Sequence, residues 1–294
     1  MAYSIKRIFC SYLILLLFSP LFFVGSALAK GDNILIYIRD DVYIDYQKFV
    51  VDKNVMSIES FASKHIRRDV VDMIIAQQAL ILGGFSHQFH YATGKVNFRN
   101  TKMLQNGELL ISFDTYWLAD AKAIEDKVYI SDAVIRNGEY IAGMYTSINN
   151  HKALAVKSIN DLKDLTAVST PLWRTDWQTI QSLPLKKVTR EDSWLSMARM
   201  VNLQWIDFLL MPFNSTPDQS FTIDKIHLVP VKNIGVLLKD SRNFVISKKH
   251  PKGEEAFIAI NKGLKILRQR GAIRKAYIDA GFIIENDNLT IINP

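Results

Sequence analysis

What this sequence lacks narrows it before anything else does. Its 294 residues contain one cysteine, which excludes an intramolecular disulfide framework. Thirteen glycines and eight prolines are too few for a collagen-like or linker-rich chain. No G-x-S-x-G, Walker loop, G-x-G-x-x-G or H-E-x-x-H string occurs, so the commonest hydrolase, nucleotide-binding and zinc-protease signatures are missing. His87 and His90 form an H-x-x-H, but on a predicted strand those side chains face opposite sides, a poor arrangement for one metal ion. His65, His151, His227 and His250 are scattered, and there is no repeat or low-complexity tract.

What is present describes a folded protein. Hydrophobic residues make up 49% of the chain and charged residues 22%, which excludes a disordered polymer. The length suits one large domain or two modest ones. The formal charge of +7 is spread out, and its densest clusters, Lys248-Lys249 and Arg268 to Lys275, fall in helical or pre-helical contexts. They read as solvated helix faces and not as a nucleic-acid surface.

Residues 1–29 form a leader. Lys6 and Arg7 precede an almost unbroken apolar stretch from Ile8 to Val24, and Ala27-Leu28-Ala29 gives the small-x-small pattern that signal peptidase reads. The competing reading is an uncleaved anchor, which Pro20 and Gly25 disfavour. Cys10 lies inside the apolar stretch and not in a lipobox, and cleavage leaves 265 residues without cysteine. An exported, disulfide-free protein of that size fits a bacterial periplasm.

Beyond the leader, strands alternate with helices. Asn33–Arg39 is a β-rich run, and 68–82 places Val70, Met73, Ile74, Leu80 and Ile81 on one helical face before Gly83-Gly84. Strands are predicted at 88–96, 108–113, 128–131, 140–147, 166–169, 206–211 and 244–247. Helices are predicted at 158–165, 175–183, 191–203, 254–270 and 272–280. The alternation argues an α/β fold.

The order of these elements, the "SINDLKDLTAVST" segment, an x-L-x-x-x-x-I-D strand entry and the closing "AFIAINKGLKILRQRGAIRKAYIDAGF" resemble the type 2 periplasmic solute-binding proteins. Within them the resemblance is to extracellular family 3, associated with amino-acid ABC transporters, and it spans Asn33 to Pro294. It implies a two-lobed clamshell: lobe 1 from residues 30–143 plus 248–294, lobe 2 from 144–247, with crossings near 142–147 and 244–247. It implies closure on a small ligand, no enzyme activity, no cofactor and a monomer.

Ligand sites in such sheets lie beyond the carboxyl ends of strands. That rule nominates Arg39, Asp40, Asp41 and Tyr43 after the first strand, Asp114, Thr115, Tyr116 and Trp117 after 108–113, and Ser131 with Asp132 at the family's F-S/T-D step. In lobe 2 it nominates Thr170, Trp173, Arg174 and Thr175, then Phe213 and Asn214. Asp40-Asp41 serve either as ligand contacts or as a helix-entry pair. Arg174 is either an anion clamp or half of an interlobe salt bridge, and Trp177, Trp194 and Trp205 read as core.

The chain also departs from the family. No arginine stands in Ala121–Lys127, where amino-acid-binding members fork a guanidinium onto the ligand's α-carboxylate, and Lys122 lacks that geometry. Pro171–Arg174 replaces the usual Gly-Thr pair. The expected function is a periplasmic solute-binding protein that captures a small polar ligand, an amino acid or a related compound, for an ABC permease. A sensory receptor of the same fold acting through a membrane partner is the alternative, and a hydrolase or lyase on a similar scaffold is the third possibility.

Overall fold

A computed structural model describes residues 34–294 except 64, 94–96 and 215; the leader 1–29 lies outside the described residues. No helix among those described is long and apolar enough to cross a membrane.

The chain opens with β1 (Ile34–Ile38), whose alternating β-branched and aromatic residues suit a pleated, half-buried strand. It runs straight into helix α1 (Asp40–Val50), so the expected loop after the first strand does not exist. Asp40 and Asp41 occupy the first turn of α1, where carboxylates complement the helix dipole. Helix α2 (Arg68–Gly83) is buried on every side from Asp69 to Leu80 and ends at Gly84, whose φ of 104° only glycine adopts without strain. Strand β2 (Phe89–Thr93) pairs in parallel with β1. Helix α3 (Asn97–Asn106), which the sequence pattern left unassigned, precedes the Gly107 turn.

Then come β3 (Tyr116–Trp117), the one-turn α4 (Leu118–Lys122), β4 (Val128–Ile135) and β5 (Ile141–Ser147). The second half of the chain holds α5 (His151–Leu154), β6 (Thr166–Ser169), α6 (Arg174–Ser182), β7 (Lys187–Arg190), α7 (Trp194–Asn202), β8 (Leu209–Met211), β9 (Phe221–Ile223) and β10 (Ile226–Leu237). It closes with β11 (Arg242–Ser247), α8 (Gly253–Gln269), α9 (Ala272–Asp279) and β12 (Thr290–Ile291). The 158–165 segment is a short 3-10 turn fixed by a capping box between Ser158 and Asp161.

Beside the β1–β2 pair, two groups of strands result. In the first, β11 lies between β3 and β4, and Ile111 bridges to Ile246, which ties the 109–113 segment to β11. In the second, β12, β10, β5 and β8 lie side by side, β9 pairs β10, and the Ala167–Phe208 bridge joins the parallel pair β6–β7. Residues 244–247 therefore belong to an inner strand of the first group and are not a crossing. The long antiparallel pair β5–β10 runs with an irregularity between Pro230 and Gly235, where Asn233 has φ 60°. Pro230, Lys232 and Asn233 broke the apolar pattern, and β10 was invisible in sequence for that reason.

The tightest packing is between α2 and α8. Gly83 lies against Ala259 and Gly263 against Ala79; a Cβ on either glycine would fall 1.8 Å from the facing carbonyl oxygen. Small residues on both helices let the backbones touch, and the apolar stripe Ala256, Ile260, Leu264 and Leu267 of α8 completes the seam. Trp205, expected in the core, is 70% exposed, because Gln204 at φ 59° turns the chain outward after α7.

Candidate functional site

The site is built on a buried ionic network in the first strand group. Asp72 of α2 is fully buried and accepts from the Thr115 N–H at 3.1 Å, the Thr115 hydroxyl at 2.8 Å and Arg68 at 2.5 Å. It also accepts from the Tyr277 hydroxyl of α9. Arg68 reaches Asp69 and, at 2.9 Å, Asp114. The three carboxylates Asp69, Asp72 and Asp114 lie close enough together to hold a metal ion, yet guanidiniums already pair with them: Arg68 reaches all three, and Asp69 also pairs with Arg67 at 3.2 Å and Arg39 at 3.6 Å. This network fixes the 114–117 segment against α2, because a buried charge is stable only when paired and hydrogen-bonded.

Arg242, the first residue of β11, stands over that segment. Its Nε donates to the Thr115 hydroxyl at 2.9 Å, one Nη donates to the Thr115 carbonyl at 2.7 Å, and its guanidinium lies 4.6 Å from the Trp117 ring centroid. Trp117 in turn packs against Tyr140, which stacks on Phe282 at 4.4 Å. Planar donors on an aromatic face are what guanidinium geometry favours.

The start of α6, from the second strand group, approaches this surface. Arg174 places Nε 3.2 Å from Asp120 and donates through Nη1 to the Ala119 carbonyl at 3.2 Å. Asp176 lies within electrostatic reach of Arg242, Arg68 and Tyr140. Burial pushes Asp176 up to about 6, against the pull of Arg242. Burial likewise raises Asp120 against the attraction of Arg174, with Asp240 adding repulsion. Asp114 is raised by burial and by repulsion from Asp69 and Asp72, against Arg68. Asp114, Asp120 and Asp176 are thus each held less readily ionised than usual, whereas Asp69, against its burial, is held below the usual carboxylate range by Arg68, Arg67 and Arg39.

The sequence nominees divide. Asp114, Trp117 and Arg174 fall in this assembly, with Tyr116 beside it; the Tyr116 hydroxyl pairs with Thr101 at 2.7 Å and is pushed up to about 12, mainly by burial. Trp173 is the residue at which α6 starts and packs on the second core. The others are engaged in their own surroundings. Arg39 pairs with Asp41 and also reaches Asp69 of the ionic network at 3.6 Å, Asp40 opens α1, and Tyr43 stacks on Tyr91 at 5.4 Å. The Ser131 hydroxyl donates to the Asp132 carbonyl and accepts from the Phe244 N–H at 2.9 Å inside the β4–β11 pair. Thr170 binds Asp192 at 2.5 Å, and buried Thr175 lines a separate hollow of about 510 Å³ shared with Lys239 and the C-terminal Pro294. Phe213 is core beside Tyr145, and Asn214 ties down the 214–220 turn. His87 precedes β2 and faces Glu255 at 3.3 Å.

Sequence reasoning missed Arg68, Asp72, Asp120, Tyr140 and Arg242. The charged ones show only a charge beside an apolar element, which also describes most solvated residues, and Tyr140 reads as one more aromatic of a β run.

Comparison with known proteins places the architecture. No family model matches the sequence, and no curated protein matches it. Solved structures do match in fold. The periplasmic VFT2 domain of Bordetella pertussis BvgS aligns at TM-score 0.53 with 12% identity, covering 85% of this chain and 93% of that one. An amino-acid ABC transporter substrate-binding protein of Streptococcus pneumoniae, bound to L-arginine, aligns at 0.52 with 13% identity, covering 87% and 98%.

The fold is the two-lobed clamshell of the type 2 periplasmic binding proteins. Substrate-binding domain 2 of Lactococcus lactis GlnP, in an open conformation, aligns at 0.51 with 14% identity, covering 89% and 100%. The Arg174 contacts with Asp120 and with the Ala119 carbonyl join the start of α6 to the 119–120 segment.

Proposed function

We propose that the protein is a non-enzymatic, periplasmic ligand-binding protein that closes its two lobes on a small polar molecule and presents it to a membrane partner. Lobe 1 comprises residues up to about 140 and from about 242 to about 285, and lobe 2 comprises the residues between together with the closing strand at 290–291, which pairs with β10. On this reading the second crossing lies at 238–241, ahead of β11, which among the described residues pairs with β3, β4 and the 111 segment. The observation that carries the reading is the reach of Arg174 from one lobe to Asp120 and the Ala119 carbonyl of the other, with Asp176 within electrostatic range of Arg242. It joins polar groups of the two lobes and, among the described residues, includes no nucleophile–base pair.

The partner is an ABC permease in the first reading. Similarity in fold to the BvgS periplasmic domain supports a second, in which ligand occupancy is passed to a membrane sensor. The leader at residues 1–29 supplies export in both.

The test is a thermal-shift and small-angle scattering screen of the full-length protein against amino acids, organic acids, sugars, short peptides and amines. A ligand at 100 times its Kd should add about 2.7 kcal/mol of stability. The expected result is a raised melting temperature with a smaller radius of gyration, lost in Trp117→Ala. A panel that changes neither quantity would sink the binding reading.

A further inference from the structure

The chain passes between the two lobes a third time. Strand β5 continues the first crossing and β10 leads into the second, and the two lie side by side with β12 on the far edge of β10. The Leu238 N–H donates to the Tyr140 carbonyl at 3.1 Å, which ties the two crossings together. After α9 the Phe282 and Ile283 N–H groups donate to the Tyr277 carbonyl at 2.9 and 3.1 Å, so this end of the closing segment moves with lobe 1. Leu289 then packs on the second core, and Thr290 and Ile291 pair with Ile234 and Gly235 of β10. A side chain on Gly235 would come within 3.2 Å of both Leu289 and Ile291, so its absence lets the segment lie this close. Ile292, 4% exposed, donates its N–H to the Gly235 carbonyl at 3.0 Å. The Asn293 side chain clasps Leu237: Oδ1 accepts its N–H at 2.8 Å, and Nδ2 donates to its carbonyl at 2.9 Å. Lys239 Nζ, inside the second crossing, donates to a main-chain oxygen of Pro294 at 2.8 Å.

We propose that residues 286–294 are a strap across the hinge, which limits how far the lobes open and holds that motion to one bending direction. The inference rests on the clamshell reading and adds to it what controls the motion. A hinge of two neighbouring strands is a ribbon about 4.8 Å wide, open to twisting as well as bending. The third strand doubles that width, and twisting then strains the outermost pairing. Opening has a similar effect. The end of α9 travels with lobe 1 while β12 is bonded into lobe 2, so the 284–289 link must extend or β12 must leave β10.

The test is small-angle scattering of the ligand-free full-length protein in a Cys10→Ser background, which removes the chain's one native thiol. Ile292→Ala with Asn293→Ala deletes the buried anchor and the clasp. This released variant should keep a cooperative melting transition and show a larger radius of gyration than its parent. Ile234→Cys with Thr290→Cys places thiols on register partners about 4.8 Å apart, within disulfide reach. Added to the released variant, that pair should restore the parent's radius when oxidised and lose it again on reduction, a reversal that weakened packing alone would not give. An unchanged radius in the released variant, an increase that oxidation does not reverse, or a released variant that fails to fold each overturns the strap. If the parent closes on a ligand in the screen, the clamshell reading survives those results. A parent that closes on nothing overturns both.

Discussion

Asp176 offers the sharpest test of the electrostatic argument, because its carboxylate works against the fold. In the native state Arg242, Arg68 and Tyr140 face it and burial raises it to about 6, whereas the unfolded chain holds it at its ordinary 3.8. The native state therefore binds more protons than the unfolded state between those values, and stability falls as pH rises through the window. Below pH about 4 both states carry the proton and the penalty is absent; above pH about 6 it is complete. At about 1.36 kcal/mol per unit, it amounts to up to about 3 kcal/mol at pH 7. Asp176→Asn keeps the shape and removes the charge, so it should stabilise the protein by up to that amount at pH 7 and by almost nothing at pH 4. For a protein of this size that is a rise of up to about 6 °C in melting temperature. Calorimetric scans of both proteins at pH 4, 5, 6 and 7 measure it. Parallel melting curves across the range, or a variant less stable at pH 7, would refute the reasoning.

Two further substitutions probe what positions the cleft. Asp72→Ala leaves the Tyr277 hydroxyl, the Thr115 N–H and part of the Arg68 charge without their buried acceptor. A loss of about 3–5 kcal/mol in urea unfolding is expected, and a loss under 1 kcal/mol would mean the network is not structural. Gly263→Ala drives a methyl group into the Ala79 carbonyl oxygen across the α2–α8 seam. At least about 3 kcal/mol should be lost, read as a lower midpoint in the same titration, while unchanged stability would show that the helices can separate at no cost.

The sequence by itself determined the periodic part of this protein. Helix α2 was legible in its apolar face and closing glycines, α8 and α9 in their stripe and the Gly271 stop between them, and β1, β5 and β6 in their β-branched runs. These signals are local: each element announces itself by burying one face and by chemistry at its ends. The alternation and the closing helix pair were enough to reach the two-lobed fold. Asp114, Trp117 and Arg174 were also reachable, because they stand where strands hand over to helices.

Only the tertiary structure decided the rest. Arg242 and Asp120 are 122 positions apart in the chain, yet both belong to one surface because β11 inserts between β3 and β4. Asp72 reads as one more polar residue on a helix until α9 and the 115 segment close over it. Arg174 could have been a free anion clamp; its partner at Asp120 comes from the other strand group and has no trace in local spacing. A charge acquires its role from what desolvates it and what faces it, and long-range packing fixes both.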